Sequence, residues 1–156
     1  MTTTDDDRSL SPKEVVIKFL GLMRSATPED TEKAGRMFAE DASFWILGNL
    51  PMSGELRGRE EIMVKRFRRG HARTVQGSKS LDIGKVIAEG EFVAAEWVSR
   101  RKVIDGADYV NTFFGLFQVR DGKIVSLREY MDTLAVKEAG WDRTAIPTTA
   151  PVPAQA

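Results

Sequence analysis

The 156-residue chain has no cysteine and a single histidine, His71. The first absence excludes a disulfide framework, thiolate metal ligation and a cysteine nucleophile. The second excludes a multi-histidine metal centre within one chain, so no metal site is expected. Net charge is missing as well, with 23 basic side chains against 23 acidic ones. No global field therefore draws in nucleic acid or an anionic membrane. No apolar run reaches membrane-spanning length, and the polar, acidic start MTTTDDDRSL is unlike a secretory signal. These absences point to one cytoplasmic domain with no nucleic-acid or membrane partner. By size it buries about two-thirds of its unfolded surface.

What is present divides into helices first and strands afterwards. Residues 1–10 are polar and predict a disordered N-terminus. Ser11-Pro12-Lys13-Glu14 combines an N-cap serine, proline at the first helical position and a capping-box glutamate. Val16, Phe19, Leu20 and Met23 then share one helical face. Thr27-Pro28-Glu29-Asp30 opens a second helix that buries Ala34, Met37 and Phe38. Ser43 to Leu47 reads as a short strand, and Gly48 to Gly58 as a loop with Pro51. A third helix, Arg59 to Arg69, is expected to stop at Gly70 in the C-cap position. Its charges, including Arg66, Arg68 and Arg69, read with Arg73 as a solvated face.

Long strands follow, punctuated by Glu89-Gly90, Asp105-Gly106 and Asp121-Gly122. An acidic residue before glycine suits three-residue hairpin loops. Residues 139–156, rich in Pro, Ala and Thr, predict a disordered tail and leave 11–138 as a single domain. The order implies an α+β fold, with helices packed on one face of a curved antiparallel sheet.

In the last strand Val125, Leu127, Glu129 and Met131 share one face by alternation. A carboxylate in the middle of an apolar face is paired, protonated or used. Counting from three-residue loops pairs Trp97 with Phe113, Ser99 with Asn111, Phe113 with Glu129, and Leu81 with Trp97. Arg101 and Tyr109 form a further row. This register describes a concave, aromatic-walled hollow with a few polar groups, the composition of a small-molecule pocket. Burial raises the pKa of a carboxylate there unless Arg101 or His71 pairs with it. Glu129 is thus the expected acid–base group. Asn111, Arg101 and His71 are candidate helpers. Phe44, Ile46, Trp97, Ser99, Phe113, Leu127 and Met131 are candidate substrate contacts. The opposite face, with Phe92, Phe114, Leu116 and Tyr130, is too apolar to be simply solvated and predicts a homodimer interface.

Three stretches carry a resemblance: FAEDASFWI (38–46), LRGREEI (56–62) and FGLFQVRDGKIVSLREYMD (114–132). Through them the chain resembles the SnoaL-like branch of the nuclear-transport-factor-two-like superfamily. That superfamily also holds limonene epoxide hydrolases, polyketide cyclases and ketosteroid isomerases. The resemblance implies a cone of about three helices in the concave face of a strongly curved, mixed, mainly antiparallel sheet. It also implies a deep pocket, sheet-mediated dimers and acid–base chemistry without a cofactor. The catalytic aspartate of the hydrolases and cyclases falls at Glu129. The hydrolase Arg/Asp pair falls on Trp97 and Ser99, and its Tyr/Asn pair on Phe44 and Ile46. The cyclase histidine falls near Gly115, and the isomerase base near Ile46 or Leu47. Two readings follow. One is a cofactor-independent lyase, isomerase or cyclase acting on a hydrophobic aromatic or polycyclic molecule. The other is a non-catalytic binding domain using the same pocket.

Overall fold

The computed structural model of the protein describes residues 10–25, 27–104 and 107–140. The segments expected to be disordered, 1–10 and 139–156, lie outside these residues apart from Leu10, Ala139 and Gly140. So does the Asp105-Gly106 turn. Among the described residues no helix is long and apolar enough to cross a membrane.

Helix α1 (Pro12–Leu22) starts as its sequence dictates: Ser11 Oγ accepts from Glu14 N, and the Glu14 carboxylate accepts from Ser11 N at 2.7 Å. Helix α2 (Pro28–Arg36) is capped by Thr27, whose Oγ1 accepts from Asp30 N at 3.1 Å. Phe38, expected on the α2 face, instead opens strand β1 (Phe38–Ile46), which is longer than its apolar core suggested. The expected glycine loop contains a short strand, β2 (Gly54–Arg57). The third helix is irregular. Helix α3 (Arg59–Ile62) passes into a π-helical stretch, Met63–Arg68, and then into α4 (Arg69–Ala72). Gly70 is therefore a buried helical residue and not the C-cap. Close packing against α2 accompanies this, since a Cβ on Gly35 would coincide with the Met63 thioether.

Strands β3 (Ser80–Glu89), β4 (Phe92–Lys102), β5 (Asp108–Arg120) and β6 (Lys123–Met131) form the meander. The sheet order is β2-β1-β6-β5-β4-β3, with β1 parallel to β6 and every other pair antiparallel. A last helix, α5 (Thr133–Glu138), is capped by Asp132, whose Oδ1 accepts from Leu134 N and Ala135 N. The result is the expected α+β cone, helices lying in the concave face of an open, curved, mixed sheet.

The β4–β5 register is as counted, with Trp97 opposite Phe113 and Ser99 opposite Asn111. The two other hairpins differ. Arg120 pairs with Lys123 across a two-residue Asp121-Gly122 turn, both residues having positive φ (50° and 74°). Such a turn matches the right-handed twist of the strands it joins. Taken alone it would shift the count by one and reverse every side chain beyond it. A β-bulge at Gln118/Val119 adds a second one-residue shift. The slip totals two residues and the faces are restored. Glu129 therefore still points inward, but opposite Gly115 instead of Phe113, while Phe113 faces Met131. The bulge also brings Ile124, not Val125, into the core. On β3 a comparable bulge between Ile83 and Val86 sets Leu81 opposite Ser99 and Ile83 opposite Trp97.

Candidate functional site

The inner face of the sheet and the concave helices enclose a cavity. The space open to the centre of a water-sized molecule is about 40 Å³, within about 600 Å³ of atom-free space that includes the open mouth. One water needs roughly 10–15 Å³ on the first measure, so there is room for about three waters before the open mouth. Phe19 and Leu20 of α1, with Met23 just beyond it, form one wall; Trp97 and Phe113, stacked at 5.4 Å with 1° between their planes, form another. Phe44 and Phe67 complete the apolar lining. Gly115 makes the stacked wall possible. A Cβ there would lie 2.9 Å from the Trp97 ring and 2.8 Å from that of Phe117. The indole thus lies over the cross-strand neighbour of Glu129.

Into this hollow the sheet projects Glu129, 4 % exposed. Its partner is neither Arg101 nor His71. Arg66 Nη2 donates to Glu129 Oε1 at 2.6 Å, and its guanidinium carbon sits 5.6 Å from the centre of the Phe44 ring. Only 14 % of the Arg66 side chain is exposed. The reading of Arg66 as part of a solvated helix face is thereby corrected. Ile62, Met63, Phe67 and Gly70 are all buried on this segment, and Arg66 falls at the same helical spacing. That stripe was the available signal. An ionised hydrogen bond of this length, removed from bulk water, is among the stronger kinds. It holds the carboxylate by one oxygen in front of the cavity.

Three more basic groups share the lining: Arg101, Lys79 and His71. Arg101 donates to Ser99 Oγ at 2.9 Å and approaches the Tyr109 ring at 6.0 Å. Burial, followed by the charge of Arg66, lowers its pKa to about 10. Lys79, just before β3, is pushed down to about 6 by burial first and then by the charges of Arg101 and Arg66. Its inward alternation with Leu81 was readable from the strand pattern, though its chemistry was not. His71 lines the cavity with Nδ1 buried. Tyr109 is raised, chiefly by burial.

Of the sequence-predicted residues, then, Glu129, His71, Arg101, Phe44, Trp97, Ser99 and Phe113 meet at one cavity. Four do not. Asn111 is spent on structure: Nδ2 donates to Tyr109 Oη and to the Asp132 carbonyl, while Oδ1 accepts from Asp132 N at 3.0 Å. These bonds tie the end of β6 to β5, and Asn111 does not bond Ser99. Leu127 is wholly buried between Phe44 and Phe117. Ile46 pairs with Glu129 across the parallel strands but packs into the core. Met131 bridges the main core and a smaller cluster under α5. Among the described residues, no three His, Cys, Asp or Glu side chains gather closely enough to hold a metal ion.

A SnoaL-like domain model matches residues 21–127, more than half of the chain. The chain belongs to the SnoaL-like domain family. Solved structures share the fold at low identity. An NTF2-like protein from Burkholderia thailandensis is 19% identical at a TM-score of 0.71, covering 84% of this chain and 98% of that one. A putative isomerase from Bacillus subtilis is 23% identical at a TM-score of 0.67, covering 85% and 97%. An LEH-like epoxide hydrolase from M. tuberculosis is 20% identical at a TM-score of 0.64, covering 82% and 87%. No curated protein matches. This SnoaL-like domain thus has a fold that includes isomerases and cyclases.

Proposed function

We propose that the domain is a cofactor-independent acid–base enzyme of lyase, isomerase or cyclase type, acting on a small aromatic molecule held in the cavity. The observation that carries this is a single carboxylate, Glu129, clamped at 2.6 Å by Arg66 inside an aromatic-walled hollow. Glu129 removes a proton from a carbon made acidic by a neighbouring carbonyl and returns it at a second position. Its free oxygen is the acceptor. Arg66 fixes the other oxygen and so orients the carboxylate toward the substrate. Trp97 and Phe113 stack on the ring, and Arg101, with Ser99, faces the oxygen on which negative charge develops. His71 stands at the same lining as a second proton carrier.

The active unit is proposed to be a homodimer through the outer sheet face. Support comes from Ile87, Phe92, Val110, Phe114, Leu116 and Tyr130, all of them exposed and apolar or aromatic. Monomers rarely leave such a surface uncovered.

Deuterium wash-in tests the chemistry. Aryl ketones incubated with the protein in heavy water should gain label at the carbon beside the carbonyl, followed by mass spectrometry. Glu129→Gln should slow that exchange by ~10²–10⁴-fold. Exchange at an undiminished rate in the variant contradicts the assignment and leaves the non-catalytic binding domain as the better reading.

A further inference from the structure

The cavity lining holds one lysine, Lys79, which the proton chemistry of Glu129 leaves unused. It stands just before β3 and alternates with Leu81, which is buried against the same hollow. Ser80 pairs with Arg100, and extending that register by one residue sets Lys79 opposite Arg101. Three other lysines have carboxylates: Lys33 has Glu29 at 2.7 Å, Lys65 has Glu61 at 2.6 Å, and Lys102 has Asp108 at 3.7 Å. Lys79 differs. Among the described residues no hydrogen bond or ion pair joins its amine to another side chain, and Glu129, the acidic residue of the lining, is bonded to Arg66. A half-buried amine in an aromatic-walled hollow, with no carboxylate holding a proton on it, sheds its charge. Burial first, then the charges of Arg101 and Arg66, bring Lys79 down to about 6, against the pull of Glu129. An uncharged lysine amine in a small-molecule pocket is a nucleophile, and the matching electrophile is a carbonyl carbon.

We propose that Lys79 is a nucleophilic residue whose amine condenses with the carbonyl group of a bound aldehyde or ketone to form a Schiff base. The proposal deepens the acid–base reading of this cavity and rests on it for the steps after condensation. The Nζ lone pair forms a bond to the carbonyl carbon as the carbonyl π bond breaks toward oxygen. The alkoxide so formed lies toward Arg101 and Ser99, which bond each other at 2.9 Å, and it takes the proton that the nitrogen gives up. The carbinolamine hydroxyl takes a second proton and leaves as water, giving an iminium. His71, on the same lining, carries that second proton. Nothing is oxidised or reduced. An iminium draws electrons more strongly than the carbonyl it replaces, so the neighbouring C–H becomes more acidic. Glu129 takes that proton, the C–H pair becomes the C=C bond of an enamine, and the C=N π pair returns to nitrogen. Reprotonation at carbon and addition of one water release the product and restore the amine.

The charged groups that face Lys79 are Arg101 on β4, Arg66 on the π-helical stretch and Glu129 on β6, with His71 of α4 on the same lining. The α1 side contributes the apolar Phe19, Leu20 and Met23. The amine is therefore protonated and unreactive below about pH 6 and neutral above it. An exposed lysine becomes nucleophilic only toward its ordinary range, roughly pH 10. At neutral pH Lys79 is thus ~10³-fold richer in the reactive form than an ordinary lysine.

Reductive trapping of the full chain tests this. Propanal, kept limiting, and sodium cyanoborohydride are added at neutral pH, and peptide mass mapping reads the alkylated amine at each lysine. Lys79 should be labelled at least about tenfold faster than any other lysine, its lower basicity taking back part of the advantage in neutral form. Its labelling rate should reach half of its plateau at about pH 6. Labelling of Lys79 no faster than that of the exposed lysines overturns the proposal, as does a rate that climbs only toward the ordinary lysine range. In oxygen-18 water an aryl ketone incubated with the protein should exchange its carbonyl oxygen, because condensation expels one oxygen and hydrolysis supplies another. Lys79→Met should slow that exchange at least about tenfold. Oxygen exchange at an undiminished rate in the variant also overturns the proposal. The labelling rates use the wild-type protein, so they decide even if Lys79→Met does not fold. Deuterium exchange that persists in Glu129→Gln counts against the acid–base reading, and absent labelling at Lys79 counts against this one.

Discussion

Along β5, alternate residues meet opposite surroundings. Tyr109, Asn111, Phe113, Gly115 and Phe117 are buried, whereas Val110, Phe114 and Leu116 are 53 %, 46 % and 36 % exposed. The same strand therefore presents polar groups to the interior and apolar groups to the outside. On the inner face three polar groups have partners within the chain: Glu129 has Arg66, Arg101 has Ser99, and Asn111 has Tyr109 and Asp132. On the outer face Phe114 and Tyr130 have each other, edge to face at 6.2 Å, and both stay exposed. The outer face leaves apolar groups exposed.

That contrast can be broken most severely at Arg66. Arg66→Met leaves Glu129 buried and unpaired, which costs ~3–5 kcal/mol of unfolding free energy in urea melts. Exchange activity should fall with it. Next comes Gly115→Ala, where the new methyl meets the Trp97 and Phe117 rings. Overpacking of this kind costs ~1–3 kcal/mol and tilts the indole into the cavity, so ligand affinity should weaken as stability drops. The smallest effect on the single chain is expected from the outer face. Phe114→Glu should convert a dimer to a monomer in sedimentation velocity, while unfolding free energy extrapolated to low protein concentration changes by only ~0.5 kcal/mol. A wild-type protein that sediments as a monomer would remove the interface reading and leave the apolar surface unexplained.

How much of this was written locally in the sequence depends on the period that carries it. Glu129 was legible because alternation has a period of two, and a two-residue slip in the register leaves each side chain on its face. The counted loops were wrong at two hairpins, yet the bulge at Gln118/Val119 compensated and the inner face survived. What did not survive was the identity of neighbours: Glu129 lies opposite Gly115, not Phe113. Arg66 was missed for the complementary reason. It lies among Lys65, Arg68 and Arg69, and a run of charges reads as a solvated face unless each position is checked against the helical spacing of Ile62, Met63 and Phe67. The π-helical stretch at Met63–Arg68 lengthens that turn without any proline or paired glycines inside it to announce it. The parallel pairing of β1 with β6 was equally hidden from local pattern, because it joins residues more than eighty positions apart and is chosen by packing alone. Asn111 shows the opposite error. A polar residue on an apolar face can be closing a strand end and not serving a ligand.

The central claim is that Glu129 and Arg66 form a working couple and not a scaffold bond. Urea unfolding of the double variant Glu129→Leu/Arg66→Met measures this most directly. Replacing a buried ion pair by packed apolar groups is often neutral or stabilising by ~1–4 kcal/mol. The account predicts a double variant at least as stable as the wild type and devoid of proton exchange. A double variant destabilised by as much as Arg66→Met alone, ~3–5 kcal/mol, would show that the pair holds the fold together and would contradict the account.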